Sequence, residues 1–271
     1  MKRIFPLTAI ISILTLSAKA DELVKPIKAL LVIGGCCHDY ATQKEILKAG
    51  IEARANIAVD VCYSAEKDTT PDLACYKNAQ WADGYDVIIH DECSADIKDL
   101  LTVQRMLEPH RKGIPGVNLH CAAHSYRISP AFAKPIASGS EGAIWFDYLG
   151  LQSSGHGKQL PISITYIDSN SPITKNFDNW TTVNEELYNN IDIRESATPL
   201  AHGTQGESKT VVVWTNRYSD KKTRVFSTTL GHNNETVADP RYLDLVTRGL
   251  LWSCDKIDPD GKPLTGYGPS K

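Results

Sequence analysis

The segment Lys28–Ile33 (KALLVI) is a nearly unbroken apolar run that stops at Gly34-Gly35. A run without alternation is the pattern of a strand covered on both faces, as in a parallel sheet. Thr42-Gln43-Lys44-Glu45 has the form of a capping box, and the pattern after it predicts a helix to about Ala55. Ala58–Tyr63 (AVDVCY) and Asp86–His90 (DVIIH) read as further strands. Ser94 is placed to cap a helix reaching about Arg111, with Ile97, Leu100, Leu101 and Leu107 on its apolar face. Gly116–His120 (GVNLH) is a fourth strand. Strands joined by long helical connections predict a three-layer α/β domain with a mainly parallel central sheet.

The pattern then changes. Leu160–Asp168 alternates Ile162, Ile164 and Tyr166 with polar residues, as a half-buried strand does. Thr210–Thr215 and Thr223–Thr229 read as strands joined by a turn at Ser219–Lys222. A last helix is expected after Asp239-Pro240, carrying Leu243, Val246, Leu250 and Leu251, with proline in the first turn. No repeat and no internal boundary interrupts the chain. One domain is expected over residues 21–257, followed by an irregular tail over 258–271 that is rich in Pro, Gly and Asp.

The first twenty residues read differently. Lys2 and Arg3 precede a short apolar stretch, Ile4 to Leu16, and Ala18-Lys19-Ala20 has the A-x-A form of a cleavage site. The stretch falls short of the roughly 20 residues needed to span a bilayer. These features predict an exported protein, periplasmic or secreted, cut after Ala20, with no membrane span in the mature form. Loss of Lys2, Arg3 and Lys19 takes the formal charge from −3 to −6. No basic stripe is present, which argues against a nucleic-acid partner. Seven cysteines in an exported chain suggest disulfides. Cys62 and Cys75 flank a loop and are one candidate pair; Cys36 and Cys37 suit a disulfide, burial or a metal.

Candidate chemistry gathers at strand ends. His38 follows the first strand and its glycine pair, His90 ends the third strand, His120 ends the fourth with His124 four residues on, and His232 follows Thr223–Thr229. In open α/β sheets ligands bind outside the carboxyl ends of the strands. Asp91-Glu92 offers carboxylates beside His90, and Gly35 would let a ligand approach the backbone. Cys121 sits after a strand, as a nucleophile on a sharp turn does, but without the flanking glycines of that motif.

These motifs resemble those of the ThuA-like (trehalose-utilisation) family. The blocks that carry the likeness are Arg224-Val225-Phe226-Ser227-Thr228-Thr229-Leu230-Gly231-His232, then Asp239-Pro240 and Arg248-Gly249-Leu250-Leu251-Trp252. Asn118-Leu119-His120-Cys121-Ala122-Ala123, Ser171-Pro172-Ile173-Thr174, Glu185-Glu186-Leu187-Tyr188 and Gly34-Gly35 with His38 add to it, and His156 lies where the family often has a histidine. Two segments depart from the family pattern: Lys221-Lys222-Thr223-Arg224 replaces its G-K-G-R, and Ser171 stands for its histidine. The resemblance implies a flavodoxin-like fold of the class I glutamine amidotransferase-like group and a role in sugar utilisation. It does not imply glutamine hydrolysis.

The expected function is therefore that of a carbohydrate-active hydrolase or lyase acting on a small-molecule sugar or oxidised sugar. His120, Glu186 and His232 are the expected catalytic groups, because histidine titrates near neutral pH. Gly35, His38, His90, His124, His156 and Tyr188 are expected to bind ligand. A divalent metal such as zinc would be held by His38, His120 and His232. Tyr188, Trp180 and Trp214 are candidates to stack on sugar rings. The alternatives are a non-catalytic sugar- or protein-binding module and, third, a hydrolase using Cys121. The leader makes its own prediction: mass spectrometry of exported protein finds Asp21 as the first residue, and exported chains that retain Met1 would refute it.

Overall fold

In the computed structural model the described residues are 24–269, so the expected leader and its cleavage point lie outside them. The elements in chain order are β1 (Ile27–Gly35), α1 (Tyr40–Glu52), β2 (Ile57–Ser64), β3 (Val87–Cys93), α2 (Leu100–Arg111), β4 (Gly116–Leu119), α3 (Ile144–Leu149), β5 (Leu151–Tyr166), β6 (Trp180–Ile193), β7 (Ala197–Gln205), β8 (Ser208–Tyr218), β9 (Thr223–Thr228), α4 (Asn234–Val237) and α5 (Pro240–Ser253). One sheet holds all nine strands, in the order β2-β1-β3-β4-β9-β8-β7-β5-β6. Its first five strands are mutually parallel. The remaining four are joined antiparallel.

The parallel half forms as its sequence dictates. Every residue of β3 and all but Lys28 of β1 are buried, because helices cover both faces. α1 and α5 pack against one face, and α2 and α3 sit on the other. Strand β2 lies at the edge and keeps a partly exposed pattern.

The expected helix starts shift by a few residues. Asp39, not Thr42, caps α1, its carboxylate accepting from the Thr42 N–H at 3.3 Å. Asp99, not Ser94, caps α2 in the same manner at 3.1 Å. Ser94 is instead buried, its N–H donating to Ser125 Oγ at 2.8 Å. The buried face of α2 is Val103, Met106, Leu107 and His110, and Leu101 points to solvent. In α5 the expected Leu243, Val246, Leu250 and Leu251 are all buried.

Strands β6 and β7 carry no clean alternation and escape a pattern-based reading. Glu185–Tyr188 in β6 is a run of four buried residues, two of them acidic. Strand β5 starts at Leu151, well before Leu160, because its first half carries polar residues from Ser153 to Gln159. The tail after Cys254 is mostly turns with one bridge, Ile257 to Pro263, and returns to the start of β2 through the Asn56 N–H bonded to Tyr267 O at 3.0 Å. Among the described residues no helix is long and apolar enough to cross a membrane.

α5 meets β9 at Gly249, where an added Cβ would lie 2.4 Å from two ring atoms of the fully buried Phe226. Alanine is favoured over glycine in a helix by up to about 1 kcal/mol. The clash with a packed ring outweighs that gain, since overpacking costs about 1–3 kcal/mol. Gly249→Ala is therefore expected to lower the midpoint of urea unfolding, and an unchanged or raised midpoint would contradict the packing described.

Candidate functional site

At the carboxyl edge of the parallel strands three loops meet. His38 follows β1, His120 follows β4 and His232 follows β9. Their rings stand edge to face, with centroids 4.7 Å apart for His38–His120, 4.7 Å for His38–His232 and 5.6 Å for His120–His232. Glu186 reaches this group from strand β6. Its carboxylate lies 3.5 Å from His120 Nε2, 3.4 Å from His232 Nδ1 and 3.6 Å from His156 Nε2.

Local structure fixes each member. The turn at His120 carries a positive φ of 38°, which swings the chain out of β4 into a 3-10 turn. His120 Nδ1 lies 2.7 Å from Thr229 O. A carbonyl can only accept, so Nδ1 carries a proton and Nε2 is the nitrogen turned toward Glu186 and Tyr188. The loop after β9 is held by Glu185, whose carboxylate accepts the N–H groups of Gly231, His232 and Asn233 at 3.2, 2.9 and 2.9 Å. Gln43 in α1 donates to His232 O at 3.0 Å. Gly231 has a φ of 116°, and a Cβ there would meet Tyr242 Oη at 2.7 Å, so the turn admits only glycine.

His124 and Tyr188 support the cluster from behind. Their rings stack at 3.8 Å with 6° between planes, and His124 Nε2 is bonded to Ser153 Oγ at 2.8 Å. Tyr188 Oη lies 3.4 Å from His120 Nε2. Tyr188 is fully buried, so it positions His120 and does not present a face to a sugar. Trp214 and Trp180 are also no platforms. Trp214 donates to Leu149 O inside the core, and Trp180 is covered by Arg241.

His90 does not join the cluster. Strand β3 runs three residues past it, and His90 is buried on the opposite face. There it lies 3.0 Å from Glu92 Oε1 and 3.1 Å from His110 Nε2. Glu92 also accepts from Tyr76 at 2.9 Å and Tyr126 at 2.5 Å, so this carboxylate is spent on structure. Burial pushes the Asp91 carboxyl well above the usual range.

An open cleft of about 580 Å³ lies over the site. Gly35, His38 and His232 line it, with Tyr63, Lys67 and Asn233 among the groups that sequence reasoning missed. Asn233 and Asn234 directly follow His232, and Asp39 directly follows His38, so adjacency to a motif histidine was the available signal. At Gly35, with φ 103°, a Cβ would strike Cys93 O at 2.5 Å. His120 is 1% exposed and does not line the cleft.

Burial, together with the neighbouring His120 and His232, pushes His38 down to about 2, so its imidazole is neutral. Burial would raise Glu186, but its contacts with His120 and His232 outweigh this and hold the carboxyl well below the usual range. Burial tends to lower His232, and the Glu186 contact overrides it, leaving His232 raised. Cys121, 3.1 Å from His38 Nε2, is raised well above the ordinary thiol value by its hydrogen bond with Cys93 and by burial. A buried, protonated thiol does not suit the nucleophile reading.

The three histidines each offer a ligand nitrogen, and these atoms lie within 4.8 Å of one another. Three nitrogens around one ion at about 2.1 Å lie roughly 3.4–3.6 Å from one another, so the widest pair has to close by about an ångström or slightly more. His38 Nδ1 and His232 Nδ1 are buried without a hydrogen-bond partner. Orphaned nitrogens on rings facing a carboxylate fit a divalent cation.

A family model described as ThuA, trehalose utilisation, matches residues 28–253. A ThuA-like protein from Parabacteroides merdae has the same fold, with a TM-score of 0.61 at 20% identity, covering 91% of this chain and 98% of its own. Another from Bacteroides uniformis gives 0.58 at 15% identity, covering 88% and 96%. No curated protein matches the sequence.

The Glu186–His232 contact makes a pH prediction. The depressed carboxyl contributes stability present above its unfolded value of about 4.3 and lost on acidification. The raised histidine contributes stability present below about 6.5 and lost as pH rises through its folded value. For metal-free protein the contact thus contributes most between these limits. Glu186→Gln should remove that maximum from a plot of thermal midpoint against pH and lower the His232 titration midpoint followed by NMR; an unshifted midpoint would contradict the contact.

Proposed function

The chain belongs to the ThuA trehalose-utilisation family, and we propose that, within the carbohydrate-related role this membership supports, it is an exported enzyme acting on a small sugar or oxidised sugar. The observation that carries the reading is the meeting of His38, His120, His232 and Glu186 from four separate elements beside an open, polar cleft. Export rests on the leader pattern of residues 1–20.

The roles follow from exposure. His232 lines the cleft and its proton affinity is raised by Glu186, so in metal-free protein it is the group placed to give a proton to a leaving oxygen. Glu186 orients His232 and His120 together. His120, buried and fixed by Thr229, presents Nε2 toward Glu186 and serves as a ligand or as a base reached through Glu186. His38 stays neutral and completes the nitrogen set. Tyr63, part of the cleft wall and only partly buried, offers the ring on which a sugar can stack. Asp39, Lys67 and Asn233 offer hydrogen-bonding groups for hydroxyls or a carboxylate. A divalent ion held by His38, His120 and His232 would polarise a sugar oxygen or lower the pKa of a bound water.

Elemental analysis of the purified protein, joined to a screen of disaccharides and oxidised sugars, tests this. The expected result is about one divalent ion per chain and turnover of at least one sugar. His120→Ala should lose both while its circular dichroism stays that of the parent chain. A variant with full metal content and full activity would sink the assignment. A sugar that binds and is recovered unchanged would instead establish a binding module.

A further inference from the structure

Four cysteines lie beside the histidine cluster, and the function proposed above uses none of them. Cys36 and Cys37, at the end of β1, are bonded to each other. Cys93 ends β3, the strand beside β1, and the register Gly35–Cys93 brings it under the same loop. Its Sγ lies 3.4 Å from Cys36 Sγ, a non-bonded contact between a free thiol and a disulfide sulfur. Exposure is graded across the group: Cys93 is buried, Cys36 half-buried and Cys37 exposed. Cys37 also lines the cleft next to His38.

We propose that Cys36, Cys37 and Cys93 form a thiol–disulfide exchange site, in which Cys93 displaces Cys37 from Cys36 and delivers a reactive thiol to the cleft wall, where it takes up low-molecular-weight disulfides. In the first step the Cys93 thiolate sulfur forms a bond to Cys36 Sγ. The Cys36–Cys37 bond breaks, and its electron pair leaves on Cys37 Sγ. The proton given up by Cys93 is balanced by the one Cys37 takes from solvent. One disulfide is lost and one is made, so no oxidant or reductant is consumed. In the second step the Cys37 thiolate attacks an external disulfide, forming a mixed disulfide and releasing one external thiolate.

Three features favour this direction. The attacking and attacked sulfurs are already in contact. The hydrogen bond with Cys121 holds the Cys93 thiol below its ordinary value against the opposing effect of burial, and the Arg127 guanidinium and the backbone N–H groups of Ala95 and Cys36 add to it, so the buried sulfur is the one biased toward thiolate. Cys37 holds a φ of 81°, a left-handed conformation that non-glycine residues rarely adopt. Release from the two-residue ring frees Cys37 to leave that conformation. Because Cys37 neighbours His38 in the cleft wall, a mixed disulfide there would occupy the entrance to the histidine site.

The test uses the whole chain, purified without reductant. Native protein is treated with iodoacetamide, then denatured, digested and mapped by mass spectrometry. The expected products are chains alkylated at Cys37 and linked Cys36–Cys93. Glutathione disulfide in place of iodoacetamide should leave a glutathione adduct on Cys37. Cys93→Ser should lose both labels, and Cys254→Ser, distant from the site, should keep them. If native chains carry only the Cys36–Cys37 link and no label at Cys37, the proposal is wrong. Alkylation of Cys36 and Cys37 together would mean simple reduction and would also overturn it. The parent-chain map decides the matter even if Cys93→Ser does not fold.

Discussion

The Glu185 carboxylate ties the two halves of the sheet together. It belongs to β6, the far edge of the antiparallel extension, yet it accepts three backbone N–H groups from the loop after β9. Although β8, β7 and β5 lie between β9 and β6 in the sheet order, the extension curls until β6 packs against β8 and α4. A buried carboxylate without donors would be costly, so the curl and the loop conformation require each other. The next residue, Glu186, is thereby delivered to the histidines. The geometry of the histidine cluster at the carboxyl edge thus depends on a carboxylate that is not part of it.

The sheet also carries a second polar centre, and the two do not mix. Strand β3 alternates its side chains across the sheet. Its His90 and Glu92 face α2, where Tyr76, Tyr126 and His110 satisfy them. His110 in turn is bonded to Ile114 O at 2.7 Å, and its carbonyl accepts from Thr223 at 2.7 Å, fastening α2 to the start of β9. A buried, hydrogen-bonded network of this kind rigidifies the layer beneath a site without opening toward solvent.

Much of this was legible in the sequence where burial is one-dimensional. Unbroken apolar runs marked β1 and β3, while the glycine pair, read as an opening for a ligand, is the end of β1 and packs against Ser64 of β2 and Cys93 of β3. His38, His120 and His232 were found because each directly follows a strand of the parallel half. His90 was misplaced by the same rule. A strand end judged from apolar content stops at His90, whereas the real strand continues through Asp91, Glu92 and Cys93, which are buried polar residues. Strand β6 was missed because its buried run includes Glu185, Glu186 and Tyr188, whose partners lie elsewhere in the chain, and β7 because it buries little beyond Leu200, Ala201 and Gly203. Long-range pairing, as between Glu185 and residues 231–233, leaves no local signature. The family resemblance placed Glu186 near the site where periodicity could not.

Asn56, at the start of β2, bonds both Val24 O at 3.0 Å and Gly266 O at 2.9 Å. The first and last described stretches of the chain therefore lie side by side, at the amino edge of the parallel strands. The cleft opens at the opposite pole. Attachment of the domain by either end, to a solid support or to a fused partner, leaves its mouth pointing outward and unshaded. A short linker joining residues 24 and 266 would close the chain into a ring without crossing the cleft.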